Sequence, residues 1–396
     1  MITNPRYPSG RIVLGGAFLF VLGAVLRKCR REYGTIKSPW TRSLPQPIHQ
    51  LPEEGPCYPR DAIPGGRNVE TPYGIIRVYE WGPEDGEKAL LLHGVSAPVL
   101  TMSSLADELA LKGYRVLIFD LFGRGYSENL AGHDHDMQLY TTQILLALAS
   151  SPLSWLGNES FHLIGYSFGG ALAAGFTRFF PDIVKSLTLI APGGLIRQNK
   201  TNWKQKLLYS TGIFPEWLLQ YLVRKHITPP PNYNQRSGSP LLQAEGSPSQ
   251  PDMRGGHDVT GGDSFDSAGI SKFLPGITVE QTMAWQIARH PGFIPAFMSS
   301  LRHAPIFEQR ALWSELSAKL RARKSRGSPL CGDKVLFVLG RVDPVIIGDE
   351  LRQDSKAVLG GDLVEYLVMD AGHEIVMTKA SEISAALSNF WKGHGL

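Results

Sequence analysis

The chain has 396 residues, 43% of them hydrophobic and 19% charged, with a formal net charge of +4. This length holds one large domain plus an insertion, and the composition excludes both a disordered chain and a wholly membrane-embedded one. The small charge forms no basic stripe, which argues against a nucleic-acid partner, and the odd set Cys29, Cys57 and Cys331 supports neither a disulfide framework nor a zinc site.

The first element is the apolar run IVLGGAFLFVLGAVL at residues 12–26. It is shorter than the roughly 20 residues that span a bilayer comfortably. RKCRR follows it directly with no small-residue cleavage site, so the run reads as an uncleaved membrane anchor rather than a signal peptide, a helix lying in the interface or a buried helix being the other readings. Arg6 and Arg11 precede it, whereas Arg27, Lys28, Arg30, Arg31, Lys37 and Arg42 follow, which places the rest of the chain on the cytosolic side. Two glycosylation sequons, at Asn158 and Asn199, carry no weight there. Residues 1–60 are thus expected to be anchor and linker.

From about Val69 short β-rich runs alternate with amphipathic stretches, the signature of a mainly parallel sheet covered by helices. Strands are predicted at 74–80, 89–92, 116–120, 161–165, 186–190, 335–339 and 364–369. Such a sheet holds its ligand beyond the carboxyl ends of its strands. The turn Leu92-His93-Gly94-Val95 after the second of these runs is suited to offer backbone donors, and Gly94 gives the main chain room to approach a carbonyl. His93 reads as a brace for this loop rather than a base, and His93, Gly94 and Tyr166 are expected beside the substrate. The cluster His133-Asp134-His135-Asp136 enters a helix; its tight spacing has no matching ligands elsewhere, so Asp136 is read as an N-cap and no metal or other cofactor is expected.

Three strand ends carry chemistry. After FHLIG comes Gly165-Tyr166-Ser167-Phe168-Gly169, where glycines relieve the steric conflict of a sharp strand-to-helix turn that exposes a nucleophilic serine. After VLFVLG, Asp343 lies in Gly340-Arg341-Val342-Asp343-Pro344; after VEYLVM, His373 closes Asp370-Ala371-Gly372-His373. Ser167 as nucleophile, His373 as general base and Asp343 as its orienting acid form one consistent set, with Asp370 the alternative acid. The N–H groups of Val95 and Phe168 are the expected oxyanion donors.

Between the fifth and sixth of these strands lie over a hundred residues. Trp203, Leu207, Phe214, Trp217, Leu218 and Leu222 recur there at helical spacing and would roof the site. Residues 229–267, dense in Pro, Gly and Ser, read as a disordered loop without chemistry. The run MAWQIARHPGFIPAFMSSLRH at 283–303 is helical in character, with His290 and His303 structural.

LLHG, FDLFGRGYS, HLIGYSFGG, LIAPGGL, VLGRVDP and DAGHE resemble the recurring blocks of the α/β-hydrolase superfamily over about Tyr73 to Trp391. The resemblance implies an α/β-hydrolase fold: a mainly parallel eight-stranded sheet flanked by helices, with an inserted helical cap. The implied division is a core at 61–195 and 326–396 and a cap at 196–325. Serine at the elbow sets the chain apart from the dehalogenase and epoxide hydrolase branches, and the apolar N-terminal run gives some likeness to membrane-attached monoacylglycerol lipases. In such proteins Asp120 and Arg124 are structural or edge residues. The expected activity is cleavage of hydrophobic or lipid-like carboxylic esters through an acyl-enzyme. Carbon-carbon bond hydrolysis, acyl transfer and a non-catalytic receptor remain the other readings, because fold does not fix function.

Overall fold

Buried on both faces, the strands of a parallel sheet read as nearly unbroken apolar runs, and KALLL, RVLIF, FHLIGY, VKSLTLI and VLFVLG do so here. The computed structural model describes residues 34–42, 57–157, 159–198, 214–228, 263–328 and 330–392. Its strands are β1 (Gly34–Ile36), β2 (Gly66–Thr71), β3 (Gly74–Trp81), β4 (Lys88–Leu92), β5 (Arg115–Phe119), β6 (Asn129–Ala131), β7 (Phe161–Tyr166), β8 (Val184–Ile190), β9 (Val335–Gly340) and β10 (Val364–Met369). The main sheet has eight strands in the order β10-β9-β8-β7-β4-β5-β3-β2, and β3 alone runs antiparallel to its two neighbours. This is the α/β-hydrolase fold. All seven predicted strands are present within two residues at either end; β2 and the small antiparallel pair β1–β6 are additions.

After a four-residue helical turn at Pro39–Arg42, the α-helices are α1 (Leu100–Leu111), α2 (Met137–Ala149), α3 (Phe168–Phe179), α4 (Glu216–Ile227), α5 (Asp263–Ser267), α6 (Val279–Arg289), α7 (Phe293–His303), α8 (Arg310–Ser325), α9 (Gly348–Leu359), α10 (Ile375–Thr378) and α11 (Ala380–Lys392). Asp136 caps α2, its Oδ1 accepting from the Leu139 N–H at 2.9 Å. The core runs continuously from the sheet into α1, α3 and α11. Helix α3 is buried along almost its whole length, and its small residues let it approach β7 and β8 closely.

One expectation about the insertion gains detail and three need correction. The helical run at 283–303 is two helices, because Pro291 lacks an N–H and His290 to Gly292 turn the chain between α6 and α7. Helix α8, assigned by sequence to the cap, packs on α3 and stacks Trp313 on Phe337 of β9, so it covers the sheet. The Pro/Gly/Ser-rich stretch ends earlier than residue 267, since 263–267 are helical; residues 229–262 lie outside the described residues, as do Trp203 and Leu207. Helix α4 turns Leu219, Val223 and Ile227 inward against α7, while Phe214, Trp217 and Leu222, expected to roof the site, are exposed. Among the described residues no helix is long and apolar enough to cross a membrane. The apolar run at 12–26 lies outside them.

Candidate active site

The strand-to-helix turn at the end of β7 carries Ser167 at φ 53°, ψ −117°, a conformation that side chains rarely adopt. It persists because its surroundings hold it from several sides. The Ser167 N–H donates to the Ile190 carbonyl at 2.9 Å, and its own carbonyl accepts from Gly170 and Gly193. A Cβ at Gly169 would stand 2.1 Å from the Leu92 carbonyl oxygen, and one at Gly165 would stand 2.3 Å from the Gly169 carbonyl oxygen. Only glycine fits either place.

The loops after β9 and β10 bring Asp343 and His373 to this turn. His373 Nδ1 lies 2.8 Å from Asp343 Oδ2, and His373 Nε2 lies 3.1 Å from Ser167 Oγ. Asp343 is buried, and its Oδ1 accepts the N–H groups of Val345 and Ile346, each at 2.8 Å. With two of the acid's contacts fixed by main chain, Nδ1–H donates to Asp343 and Nε2 is left to accept from the serine hydroxyl. Asp370, the alternative acid, has a side chain 86% exposed and faces Arg341 instead.

Tyr166 precedes the serine and is fully covered; its hydroxyl donates to the His373 carbonyl at 2.6 Å and its ring lies 5.3 Å from the imidazole. Burial, then the charges of Asp343 and Glu374, push its phenol well above the ordinary range. Glu374 holds the same loop from below, Oε1 accepting from Gly372 N–H and Oε2 from Ser264 of α5.

Of the three residues expected beside substrate, Gly94 and Tyr166 line a cavity at Ser167, and His93 does not. His93 is completely buried. Its Nε2 accepts from the Leu121 N–H at 2.9 Å, so Nδ1 carries the proton and donates to the Gly94 carbonyl at 2.8 Å. Burial first, and then the charge of Arg124, lower its pKa to about 3, keeping it neutral. In a planar trans peptide the C=O and the following N–H point in opposite directions. Holding the Gly94 carbonyl inward therefore aims the Val95 N–H away from the imidazole. The second expected donor, Phe168 N–H, opens α3, which begins without a side-chain cap.

The cavity encloses about 830 Å³ including its open mouth. Its walls are mainly apolar, with Phe265, Leu301, Ile306, Phe307 and Val345 prominent and Arg197 at the edge. Phe265 of α5 lies 5.6 Å from the His373 ring. It sits inside the stretch that sequence reading assigned no chemistry; aromatic character amid polar residues was the one available signal. Asp120 and Arg124 are fully buried braces: Asp120 accepts from Val99 and Tyr126 N–H and from the Tyr58 hydroxyl. His290 and His303 contact Ser127 and Asp134, away from the cavity lining. Among the described residues no group of His, Cys, Asp or Glu is arranged to hold a metal ion.

Residues 90–229 match the family model described as the alpha/beta hydrolase fold. A serine hydrolase-like protein of Danio rerio is 29% identical over 134 residues, 34% of this chain and 40% of that relative. Lipase 1 of Psychrobacter immobilis is 30% identical over 115 residues, 29% of this chain and 34% of that relative. The match thus spans about two fifths or less of the length of these curated relatives. Among solved structures, a carboxylesterase of Bacillus subtilis superposes with TM-score 0.53 at 15% identity, covering 83% of this chain and 91% of its own. A membrane phospholipase A superposes with TM-score 0.52 at 16% identity, covering 97% and 98%. The sheet order and these matches agree on the α/β-hydrolase fold.

Proposed function

We propose that the protein is a serine hydrolase that cleaves hydrophobic or lipid-like carboxylic esters through an acyl-enzyme. The observation that carries this reading is the hydrogen-bonded series Ser167–His373–Asp343 at one end of an apolar cavity. His373 takes the Ser167 proton as Oγ attacks the ester carbonyl, and Asp343 stabilises the imidazolium. The carbonyl oxygen becomes an oxyanion held by the Val95 and Phe168 N–H groups. Collapse expels the alcohol with the proton returned by His373; water, activated by the same imidazole, then releases the acid. The apolar walls support an acyl chain as the group bound beside Ser167. The names of the lipase and carboxylesterase neighbours are consistent with this class.

In this reading the helices between β8 and α8 form a cap over the core, and residues 12–26 attach the enzyme to a membrane with the catalytic domain on the cytosolic face. The anchor rests on the sequence alone.

A fluorophosphonate probe tests the chemistry: it should label the wild type and leave Ser167→Ala unlabelled. An unreactive wild type that also turns over no p-nitrophenyl ester defeats the hydrolase reading. For the anchor, the full-length protein should stay in the membrane pellet after carbonate washing, and release into the supernatant would count against a spanning helix.

A further inference from the structure

Three consecutive carbonyls of the loop that presents Val95 are each held by a side-chain donor. The Gly94 carbonyl is held by His93, as described. The Val95 carbonyl accepts from Arg124 Nε at 3.1 Å, and the Ser96 carbonyl from Gln286 Nε2 at 2.9 Å. The first donor is local, but the other two lead into the insertion. Gln286 belongs to α6 and is completely buried; its Oε1 also accepts the Gly125 N–H at 2.9 Å. Arg124 donates through Nη1 to the Phe122 carbonyl and the Tyr140 hydroxyl, and through Nη2 to Ser300 Oγ of α7, each at 2.9 Å. Ser300 and Tyr140 hydroxyls are 2.7 Å apart, and Ser300 donates to the Ala296 carbonyl of its own helix.

Such partners are not required for satisfying the loop alone. A core built without the insertion would leave Ser96 O and one Arg124 N–H to water, at no great cost on an open surface. Instead, each is dry and paired to a different helix of the insertion. A buried amide that donates at one end and accepts at the other fixes the separation of the two chains it joins, here the loop at Ser96 and the turn at Gly125.

We propose that the insertion completes the oxyanion hole: Gln286 directly, and Ser300 through Arg124, hold residues 94–97 so that the Val95 N–H faces the Ser167 carbonyl adduct. Both are positioning residues, since neither lines the cavity, and seating of α6 and α7 is what assembles the donor pair. This rests on the hydrolase reading above. It assigns α6 and α7 a part in the chemical step, beyond roofing a cavity.

The test is steady-state kinetics of the full chain on a soluble p-nitrophenyl ester, together with inhibition by a trifluoromethyl ketone, which binds as a tetrahedral oxyanion. Gln286→Glu keeps the volume and the acceptor for Gly125 but turns the donor to Ser96 into an acceptor. It should lower kcat on the order of tenfold with KM changed less than about twofold, and weaken the ketone by the same factor as kcat/KM, as a misplaced donor does. Ser300→Ala, which removes one contact of Arg124, should give a smaller loss with the same kcat-only pattern. Should Gln286→Glu fail to fold, Ser300→Ala alone decides. Variants matching the wild type in kcat and ketone affinity, or losing both kcat and KM along with melting temperature, overturn the inference. A wild type that turns over no ester and binds no ketone overturns the hydrolase reading, and this inference with it.

Discussion

The Tyr166 hydroxyl and the His373 carbonyl meet at 2.6 Å in a fully buried contact that joins the residue before the proposed nucleophile to the proposed base. It links the end of β7 to the loop after β10, 207 positions apart in the chain, and no other acceptor of that phenol is needed. Tyr166→Phe leaves the ring in place and the His373 carbonyl without this donor. A buried carbonyl so stranded costs about 1–3 kcal/mol. We expect melting temperature to fall by several degrees, about 2–8 °C, and kcat to fall about 3- to 10-fold as the imidazole loses its fixed position. Differential scanning fluorimetry and ester kinetics read the two effects separately.

Asp343 and Asp370 give a direct comparison of two acids near one histidine. Asp343→Asn should lower kcat on the order of 10⁴-fold, because the imidazole loses the partner that sets its tautomer. Asp370→Asn, altering an exposed side chain beside Arg341, should stay within about twofold of the wild type. A reversal of that ranking in ester turnover would reassign the acid.

Much of this constellation was legible in the sequence, for a physical reason. Strands of a parallel sheet are buried on both faces, so β4, β5, β7, β8 and β9 announce themselves as apolar runs, and the chemistry sits one turn past their ends. The supporting residues were not legible. Gln286 meets Ser96 across 190 positions, and nothing local marks it out among the glutamines of the chain. Periodicity also misled around α4: Leu219, Val223, Ile227 and the expected set Phe214, Trp217, Leu218, Leu222 both follow helical spacing, and only tertiary packing decides which stripe turns inward. His93 was read both as a brace and as a neighbour of the substrate; its two ring nitrogens bond main chain, and Gly94 rather than His93 lines the cavity.

Acid should unfold the protein through its buried imidazoles. Burial and the charge of Arg124 lower His93 and His135 to about 3, and burial lowers His290 to about 4, against an ordinary 6.5. Between pH 6.5 and 4 the unfolded chain binds protons at these sites that the folded protein refuses. Stability is therefore full at and above pH 6.5 and is lost as pH falls, by about 1.4 kcal/mol per unit for each group. Asp120, raised to about 6 by burial, opposes this with one proton taken up by the folded state. The net expectation is a urea midpoint that drops steeply from pH 6.5 to 4; a flat profile would mean that these rings are hydrated or otherwise paired.

Gly169→Ala should not yield a native enzyme. The added Cβ at 2.1 Å from the Leu92 carbonyl oxygen meets main chain that cannot rotate aside. We expect loss of soluble protein or a melting temperature lowered by more than about 10 °C, a destabilisation beyond about 3 kcal/mol. Gly361→Ala, where nothing lies within 4 Å, is the control that should melt with the wild type.

The pairing of β1 with β6 sets a leash. Gly34 is already stitched to Ala131, and β6 in turn touches α7 of the insertion. Seven residues separate Gly34 from the end of the apolar run, a reach of at most about 29 Å when drawn straight. A bilayer holding that run would therefore have the body of the enzyme lying close against it, within range to draw ester from the lipid layer rather than from bulk water.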